Sequence, residues 1–249
     1  MRLDELTSYL DGYLRVRQVA DAPAALNGLQ VANTGEVTRL AVAVDASERT
    51  IVAAADRKCD LLLVHHGLFW AGLQALTGRF YRKVKLLLER DIAVYSAHLP
   101  LDVHGEVGNN SVLARALGVE LEGTFGGEAE DAAVWGRLEL RREALCARLD
   151  DLLDGRVRLV AGGPERVRRV GVCTGSGARY IREAAALGLD ALVTGEGSHH
   201  TYFDGLEEGI NVYYGGHYAT ETWGVRALAA HLEQRFGLPW EFLDFPTGM

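Results

Sequence analysis

The chain has 249 residues, with 26 Lys and Arg against 34 Asp and Glu, a formal net charge of -8 and 48% apolar residues. These values are typical of a folded globular protein, and they exclude the disordered and collagen-like classes. The negative charge argues against a general nucleic-acid-binding protein, because such proteins neutralise phosphates with Lys and Arg.

In the first half of the chain, short β-branched runs alternate with helical stretches. They predict strands at Arg39–Val44, Asp60–Val64 and Ile92–Ser96, with helices at 47–58 and Arg79–Glu89 between them. Continuous apolar strands separated by helices are typical of a mostly parallel sheet that is covered on both faces.

The second half repeats this order, with strands at 168–174, 190–194 and 210–214 and a helix at 177–188. A shift of 130 residues aligns the two strand–helix–strand units without a gap. The first-copy residues that recur are Val37, Arg39, Val42, Arg49, Ile51, Ala54, Ala55, Asp60, Leu62 and Gly67. Further on, "IAVYSAHLPLD" aligns with "INVYYGGHYATE" with one extra residue, and both contain His-x-x-x-acid. We therefore expect an α/β fold of two pseudo-equivalent domains, 1–120 and 167–249, with 121–166 as an elaboration between them.

Two features of the composition bear on the cellular compartment. No apolar run reaches the roughly 18 residues of a membrane span, and the first residues lack the features of a signal peptide, so we expect a cytoplasmic protein. The cysteines Cys59, Cys146 and Cys173 are odd in number and show no Cys-x-x-Cys spacing, which predicts reduced, buried thiols.

Histidines follow the first buried strand in "LLLVHHGLFW". Gly67 allows the chain to turn after His65 and His66, so both imidazoles can face the crevice beyond the carboxyl ends of the strands, where α/β sheets bind ligands. The alternative is one core histidine beside one exposed histidine.

Two further clusters follow predicted strands. In "SAHLPLDVHGEVGNN", His98 and Asp102 lie in a loop, and the "GNNS" segment that ends it is expected to supply an N-cap for the next helix. Taken alone, Asp102 also fits a cap or a solvated loop acid, and we expect His104 to be a surface residue. In "GGHYATE", a helix that starts near His217 places Glu221 on the same face at i+4, although a glutamate is also common in a first turn.

Together the clusters offer three histidines and two carboxylates without a thiolate. This set suits Zn, Fe, Mn or Ni. It is too large for one catalytic zinc and fits two ions that share a carboxylate, roughly 3.5–4 Å apart.

At these residues the sequence resembles the Nif-three-like family, dinuclear-metal-centre proteins named as GTP cyclohydrolase type-two homologues. The motifs that carry the resemblance are "NGLQV" (27–31), "HHGLFW" (65–70), "SAHLPLD" (96–102) with "GNN", "TGSG" (174–177), "TGEGSHH" (194–200) and "GHYATE" (216–221). The chain departs from the family pattern at two positions. Many relatives have proline where this chain has Gly67, and many have glycine just after "NGLQV", where this chain has Asn33.

The resemblance implies that His65, His66, Asp102, His217 and Glu221 bind two divalent ions. Glu221 would bridge them, with His66 and Asp102 on one ion and His65 and His217 on the other. It also implies two related α/β domains in a toroidal homohexamer.

Two more residues are expected to act near the metals. His98 matches a family position close to them and is expected to support the ligands or move protons, and Glu196 is a second candidate for proton transfer. Glu196, His199 and His200 lie in the second copy's counterpart of the His-His segment.

The expected function is that of a metal-dependent hydrolase in which activated water attacks a small molecule. A purine ring, an amide and a phosphoester all suit this arrangement, and the resemblance implies GTP cyclohydrolase-type ring opening of a nucleotide. The alternative is a non-enzymatic ring that binds metal or partner proteins. A nucleic-acid clamp with a basic rim of Arg79, Arg82, Lys83 and Lys85 is disfavoured by the net charge.

Overall fold

The computed structural model describes residues 1–70, 72–126, 132–155 and 157–248. The chain divides into two compact units, unit 1 (Met1–Leu101 with Val225–Phe245) and unit 2 (Asp102–Gly224 with Pro246–Met249). These units follow spatial contacts, whereas the predicted domain boundaries follow the sequence repeat. By spatial contacts, Asp102 belongs to unit 2, although the sequence repeat places it in the first domain. The predicted domain boundaries, 1–120 and 167–249, stay a prediction.

Unit 1 contains a five-stranded sheet in the order β1-β4-β3-β2-β11. The strands are β1 (Gly28–Val31), β2 (Leu40–Asp45), β3 (Leu61–His66), β4 (Ala93–Ser96) and β11 (Trp240–Phe242). The helices are α1 (Leu3–Tyr13), α2 (Glu48–Asp56), α3 (Gly78–Glu89) and α4 (Leu99–Asp102), together with the later part of α9 (His217–Phe236). All neighbouring strands are parallel except β1, which runs antiparallel to β4.

The central strands of unit 1 form where they are predicted because nearly all of their side chains are buried. Ser47 begins α2 with a capping box: the Thr50 N–H donates to Ser47 Oγ (3.2 Å) and the Ser47 N–H donates to Thr50 Oγ1 (2.9 Å). Strand β3 extends beyond the predicted Val64, because Asp45 and His66 are still paired in the ladder. Both histidines therefore belong to the strand itself.

Unit 2 contains a six-stranded sheet in the order β5-β6-β8-β9-β10-β7. The strands are β5 (Glu120–Phe125), β6 (Ala133–Arg141), β7 (Arg158–Ala161), β8 (Arg166–Cys173), β9 (Ala191–Thr194) and β10 (Asn211–Tyr214). The helices are α5 (Asn109–Ala116), α6 (Arg142–Leu153), α7 (Ile181–Ala186), α8 (Thr201–Glu207) and the start of α9.

The sheet of unit 2 is mixed, which corrects the prediction of a mostly parallel sheet. Only β8, β9 and β10 are parallel, and β5, β6 and β7 join by antiparallel pairs. Those three strands come from the segment predicted to be an elaboration. Exposure alternates along most of β5, as expected for an antiparallel strand with only one packed face.

Residues that the repeat aligns make matching contacts in the two units. The Asp60 carboxylate accepts hydrogen bonds from the backbone N–H groups of Thr38 (2.7 Å) and Arg39 (3.0 Å). The Asp190 carboxylate accepts the same two bonds, at 2.7 and 3.0 Å, from residues 168 and 169. In both units, an aspartate just before one strand thus binds the backbone of its parallel neighbour, just before β2 in unit 1 and within β8 in unit 2.

Both compartment-related predictions can be compared with the described residues. Cys59 and Cys173 are buried, as expected, whereas Cys146 is half-buried, and all three are free thiols. In the described ranges, no helix combines the length and the apolar character needed to cross a membrane.

Candidate metal centre

Three imidazoles of unit 1 lie together at the carboxyl end of its sheet. The rings of His65 and His66 have centroids 4.7 Å apart. His98, two residues beyond β4, has its centroid 5.0 Å from His65 and 5.7 Å from His66. One nitrogen from each of the three residues lies within 4.8 Å of the other two. The sequence clusters after two neighbouring strands therefore meet in space.

Each of these imidazoles is held at Nδ1 by a hydrogen-bond acceptor. The acceptors are the Ala97 carbonyl for His65 (2.9 Å), Asp45 Oδ1 for His66 (2.9 Å) and Asp21 Oδ1 for His98 (2.7 Å). In a neutral imidazole, an acceptor at Nδ1 keeps the proton there and leaves the Nε2 lone pair for a metal or a proton. Metal-binding histidines are typically oriented by such partners.

Asp21 organises the loop that contains His98. Its other oxygen accepts hydrogen bonds from the Asn27 side chain (2.7 Å) and the Leu99 N–H (3.1 Å), while Asn27 Oδ1 accepts the His98 N–H (2.7 Å). Burial opposes ionisation of Asp21, but its hydrogen bonds with His98 and Asn27 hold its pKa below the usual value. Asn27, from the "NGLQV" motif, therefore helps to fix the position of His98.

In unit 2, helix α9 begins at His217, as predicted, and places Glu221 one turn further along. His217 Nε2 lies 3.1 Å from Glu221 Oε2, and His217 Nδ1 lies 3.0 Å from Glu196 Oε1. The hydrogen bond with Glu221 and, to a smaller extent, the one with Glu196 raise the pKa of His217 to about 9, against the opposing effect of burial. Because two carboxylates lie against this imidazole, the local charge is negative and favours a bound cation.

Asp102 is buried at the end of α4 and is held by side chains of unit 2. Asn109 Nδ2 donates to Asp102 Oδ1 (2.8 Å), and Thr174 Oγ1 lies 3.5 Å from the same oxygen. Asn109 Oδ1 accepts the Gly224 N–H. The prediction that "GNNS" supplies the N-cap of the next helix is confirmed, because Gly108 is the N-cap of α5; no side chain caps the helix, and the Asn109 amide binds Asp102.

Two glycines leave room for the beginning of α9. Gly175, with φ of +61°, faces the carboxylate so closely that a Cβ there would lie 2.1 Å from Glu221 Oε1 and 3.3 Å from His217 Nε2. A Cβ on Gly195 would lie 2.8 Å from the His217 Cα. The motifs "TGSG" and "TGEG" therefore place bare backbone against the His217–Glu221 pair.

The remaining predicted site residues take different positions. Glu196 Oε1 accepts a hydrogen bond from Ser176 Oγ (2.7 Å), and this bond, followed by the one with His217, lowers the pKa of Glu196. His199 and His200 are exposed. Sequence reasoning missed Asp21 and Asp45, the anchors of His98 and His66, because nothing in their local sequence marks them as partners of distant histidines.

The donor atoms of both units suit a divalent metal of the Zn, Fe, Mn or Ni type. They are imidazole nitrogens and carboxylate oxygens, the ligands that these ions accept. Cys173 adds no thiolate, because burial, followed by the charge of Asp102, raises the pKa of its thiol to about 12. The residues present therefore fit a metal with nitrogen and oxygen ligands.

Comparison with known proteins gives one family over nearly the whole chain. The model of the family described as Duf34/NIF3 (NGG1p interacting factor 3) matches residues 1–247. A protein of Deinococcus radiodurans named "GTP cyclohydrolase 1 type 2 homolog" is 48% identical, over 99% of this chain and 94% of that protein. A Halobacterium salinarum protein of the same name is 43% identical over the full length of both.

Solved structures show the same fold. The crystal structure of TTHA1606 from Thermus thermophilus matches all of both chains with a TM-score of 0.92 and 42% identity. The structure of protein ybgI, a protein of unknown function, matches all of both chains with a TM-score of 0.94 and 35% identity. The matches in sequence and in structure run the length of the molecule, and the chain belongs to the Duf34/NIF3 family.

Proposed function

We propose that this protein is a dinuclear metal-dependent hydrolase whose ligands are His65, His66, Asp102, His217 and Glu221. The observation that carries the proposal is that the metal-binding side chains of each unit are already oriented and grouped. In unit 1, imidazoles are anchored at Nδ1 with their ring nitrogens gathered, and in unit 2, a buried glutamate faces a histidine. When bound, a pair of divalent ions supplies a nucleophilic water near neutral pH and polarises the substrate.

The number of donors favours catalysis over a closed structural site. If Glu221 were shared, each ion would have three protein donors, as catalytic zinc sites do, whereas structural sites use four. His98 is the proposed proton carrier, because Asp21 occupies its Nδ1 and so fixes the ring. Glu196 orients His217 through one carboxylate oxygen and retains the other for proton transfer.

The proposed substrate is a nucleotide whose purine ring is opened by hydrolysis. The resemblance and the name of the two relatives, "GTP cyclohydrolase 1 type 2 homolog", support this chemistry. Amides and phosphoesters are the competing substrates, because the same metal chemistry hydrolyses them.

The test is an activity screen of the metal-reconstituted chain with GTP, other nucleotides, phosphodiesters and cyclic amides. We expect turnover of GTP with release of the ring carbon, and loss of that turnover in Glu221→Gln. Turnover of phosphodiesters or cyclic amides, without turnover of GTP, would contradict the proposed substrate and leave the hydrolase standing. Silence across the screen at full metal content would contradict the hydrolase and favour the metal-binding ring protein.

The proposed assembly is a toroidal homohexamer of subunits with two duplicated α/β domains. The family resemblance supports the ring, and the matching Asp60 and Asp190 contacts support the duplication. Sedimentation should give a mass of about six chains, and a stable monomer would contradict the ring.

The basic helix α3 is a poor surface for nucleic acid. Arg82 pairs with Glu48 (3.0 Å), Lys85 lies 3.6 Å from Glu89, and Lys83 Nζ donates to the Ala46 carbonyl (2.8 Å). Because nearby acceptors already engage these cations, they support the proposal that nucleic acid is not a partner.

A further inference from the structure

Two buried carboxylates lie close together in unit 2. Asp102, at the end of α4, is 6% exposed, and Glu221, in the second turn of α9, is 3% exposed. A carboxylate oxygen of each lies within 4.8 Å of the other. Like charges repel more strongly in a protein interior than in water, and each buried charge also loses its hydration. The fold must therefore hold both carboxylates in place against this repulsion.

One amide side chain joins Asp102 to the helix that contains Glu221. Asn109 is fully buried at the first residue of α5. Its Nδ2 donates to Asp102 Oδ1 (2.8 Å), and its Oδ1 accepts the Gly224 N–H (2.5 Å). Gly224 lies three residues beyond Glu221 on α9. Both ends of the amide are thus in use, one by the first carboxylate and the other by the helical turn next to the second.

The close approach of Asn109 to α9 depends on the absence of a side chain at Gly224. A Cβ there would lie 2.8 Å from Asn109 Oδ1 and 3.1 Å from the Asn109 backbone nitrogen. Glycine is unfavourable inside a helix compared with alanine, because its backbone loses more conformational freedom. The glycine inside α9 therefore has a packing role, which is to admit the Asn109 amide against the helix backbone.

The start of α5 is itself held by polar contacts. Asn110, the next residue, accepts the Thr174 N–H at Oδ1 (2.8 Å) and donates from Nδ2 to the Ala132 carbonyl (2.9 Å). Thr174 Oγ1 also lies 3.5 Å from Asp102 Oδ1, the oxygen that Asn109 binds. These contacts fix the start of α5 against the backbone beside β6 and β8, so the Asn109 amide has a defined position.

The chemistry of the amide suits a carboxylate that binds a cation. An asparagine side chain supplies one N–H to Asp102 and one carbonyl oxygen to α9, and it carries no charge. A lysine or arginine at the same place would donate a hydrogen bond but would also neutralise the carboxylate. Asn109 therefore orients Asp102 and leaves its negative charge available for a metal ion.

We propose that Asn109 is a positioning residue that holds Asp102 beside Glu221, and that Gly224 is the position on α9 that admits it. The inference rests on the proposed function, because Asp102 and Glu221 are the proposed carboxylate ligands of the metal centre. It assigns a role in metal binding to two residues that are not themselves ligands.

The test is a Zn²⁺ binding isotherm of the full chain, measured by competition with a chelator. Asn109→Ala should weaken metal affinity about 10–100-fold, as expected for the loss of a partner that orients a ligand. The loss should be concentrated in one of the two binding steps, because Asp102 is proposed to bind only one of the ions. Gly224→Ala should have the same effect, although alanine favours the helix, because its Cβ would displace the amide.

A double-mutant cycle shows whether Asn109 acts through Asp102. In the Asp102→Ala background, Asn109→Ala should have little further effect on metal affinity, since the carboxylate that it orients is gone. A further loss as large as that in the wild-type background would overturn the proposal.

Two control variants separate positioning from a general loss of stability. Asn211→Ala removes another buried asparagine of unit 2, whose side chain binds three backbone groups of neighbouring segments. Gly12→Ala adds a Cβ to α1 that meets nothing within 4 Å. Both should bind Zn²⁺ as the wild type does, and an equal loss of affinity in Asn109→Ala and Asn211→Ala would overturn the positioning role.

The same isotherms distinguish failure of this proposal from failure of the proposed function. A wild-type chain that binds two ions, together with unchanged affinity in Asn109→Ala and Gly224→Ala, would overturn the positioning role and leave the metal centre standing. A folded wild-type chain that binds no metal would overturn both proposals.

Discussion

The two units provide different donors from related strand ends. Unit 1 gathers imidazoles, each anchored at Nδ1, whereas unit 2 provides buried carboxylates and one imidazole that lies against two acids. The shift of 130 residues aligns His65 with Gly195 and His66 with Glu196. The comparison shows that the aligned segments share their strand-to-strand contacts but differ in the residues at the strand ends.

Packing explains why unit 2 lacks the first histidine of the pair. A Cβ at Gly195 would lie 2.8 Å from the His217 Cα, so the beginning of α9 occupies the space that a side chain would need. The alignment with one extra residue makes His98 and His217 equivalent, and each has a carboxylate at Nδ1, from Asp21 (2.7 Å) and Glu196 (3.0 Å). The anchored imidazole is therefore common to both units, although its anchor comes from different parts of the sequence.

The largest expected effect is the loss of the carboxylate donor of unit 2. Glu221→Gln should lower the occupancy of both proposed metal sites while the chain stays folded, because Glu221 is the ligand that the two sites are proposed to share. Glu207→Gln, an exposed acid of the same unit, is the matched control and should keep its metal. Elemental analysis gives the metal content and circular dichroism gives the fold. Global unfolding of Glu221→Gln would show that Glu221 is a structural residue.

A smaller effect is expected when the anchors, not the ligands, are changed. Asp45→Asn in unit 1 and Glu196→Gln in unit 2 should each weaken metal affinity about 10–100-fold, because an amide orients an imidazole less well and lowers its basicity. Competition with a chelator measures the affinity, and Asp56→Asn, an exposed acid of α2, is the control. If only one of the two variants lost metal affinity, the two anchoring carboxylates would not have equivalent roles.

The smallest expected effect comes from adding a side chain where the backbone is tightly packed. Gly175→Ala should lower the free energy of unfolding by about 1–3 kcal/mol, because a side chain is strained at φ of +61° and meets Glu221. Gly12→Ala in α1 of unit 1, where a Cβ meets nothing within 4 Å, should raise it by roughly 0.5–1 kcal/mol through helix propensity. Urea denaturation compares the two. Equal stability of both variants would show that the "TGSG" turn is not tightly packed.

The sequence predicted those elements whose residues form a strong periodic pattern. The buried strands β2, β3 and β9 appear in the apolar runs, and α9 begins at His217, since two glycines precede it. The strands β5, β6 and β7 were not predicted, because half-exposed antiparallel strands have a weaker pattern and pair with partners that are distant in sequence.

The candidate site was predictable as residue types but not as a hydrogen-bond network. Histidines and acids after strand ends are visible in the sequence. Asp21 lies 77 residues from His98, and Asn109 binds an amide of Gly224, so only the folded chain shows these partners. The "GNNS" segment shows the limit of local rules: they predicted the cap, which Gly108 provides, but not that the neighbouring Asn109 binds Asp102.

The most direct test of the central claim is the metal content of the wild-type chain. The protein is stripped with a chelator, reconstituted with an excess of Zn²⁺ or Mn²⁺, freed of unbound ion by gel filtration and analysed for metal per chain. The dinuclear account predicts close to two ions per chain. A reproducible content of one ion or none, in a folded protein, would contradict it.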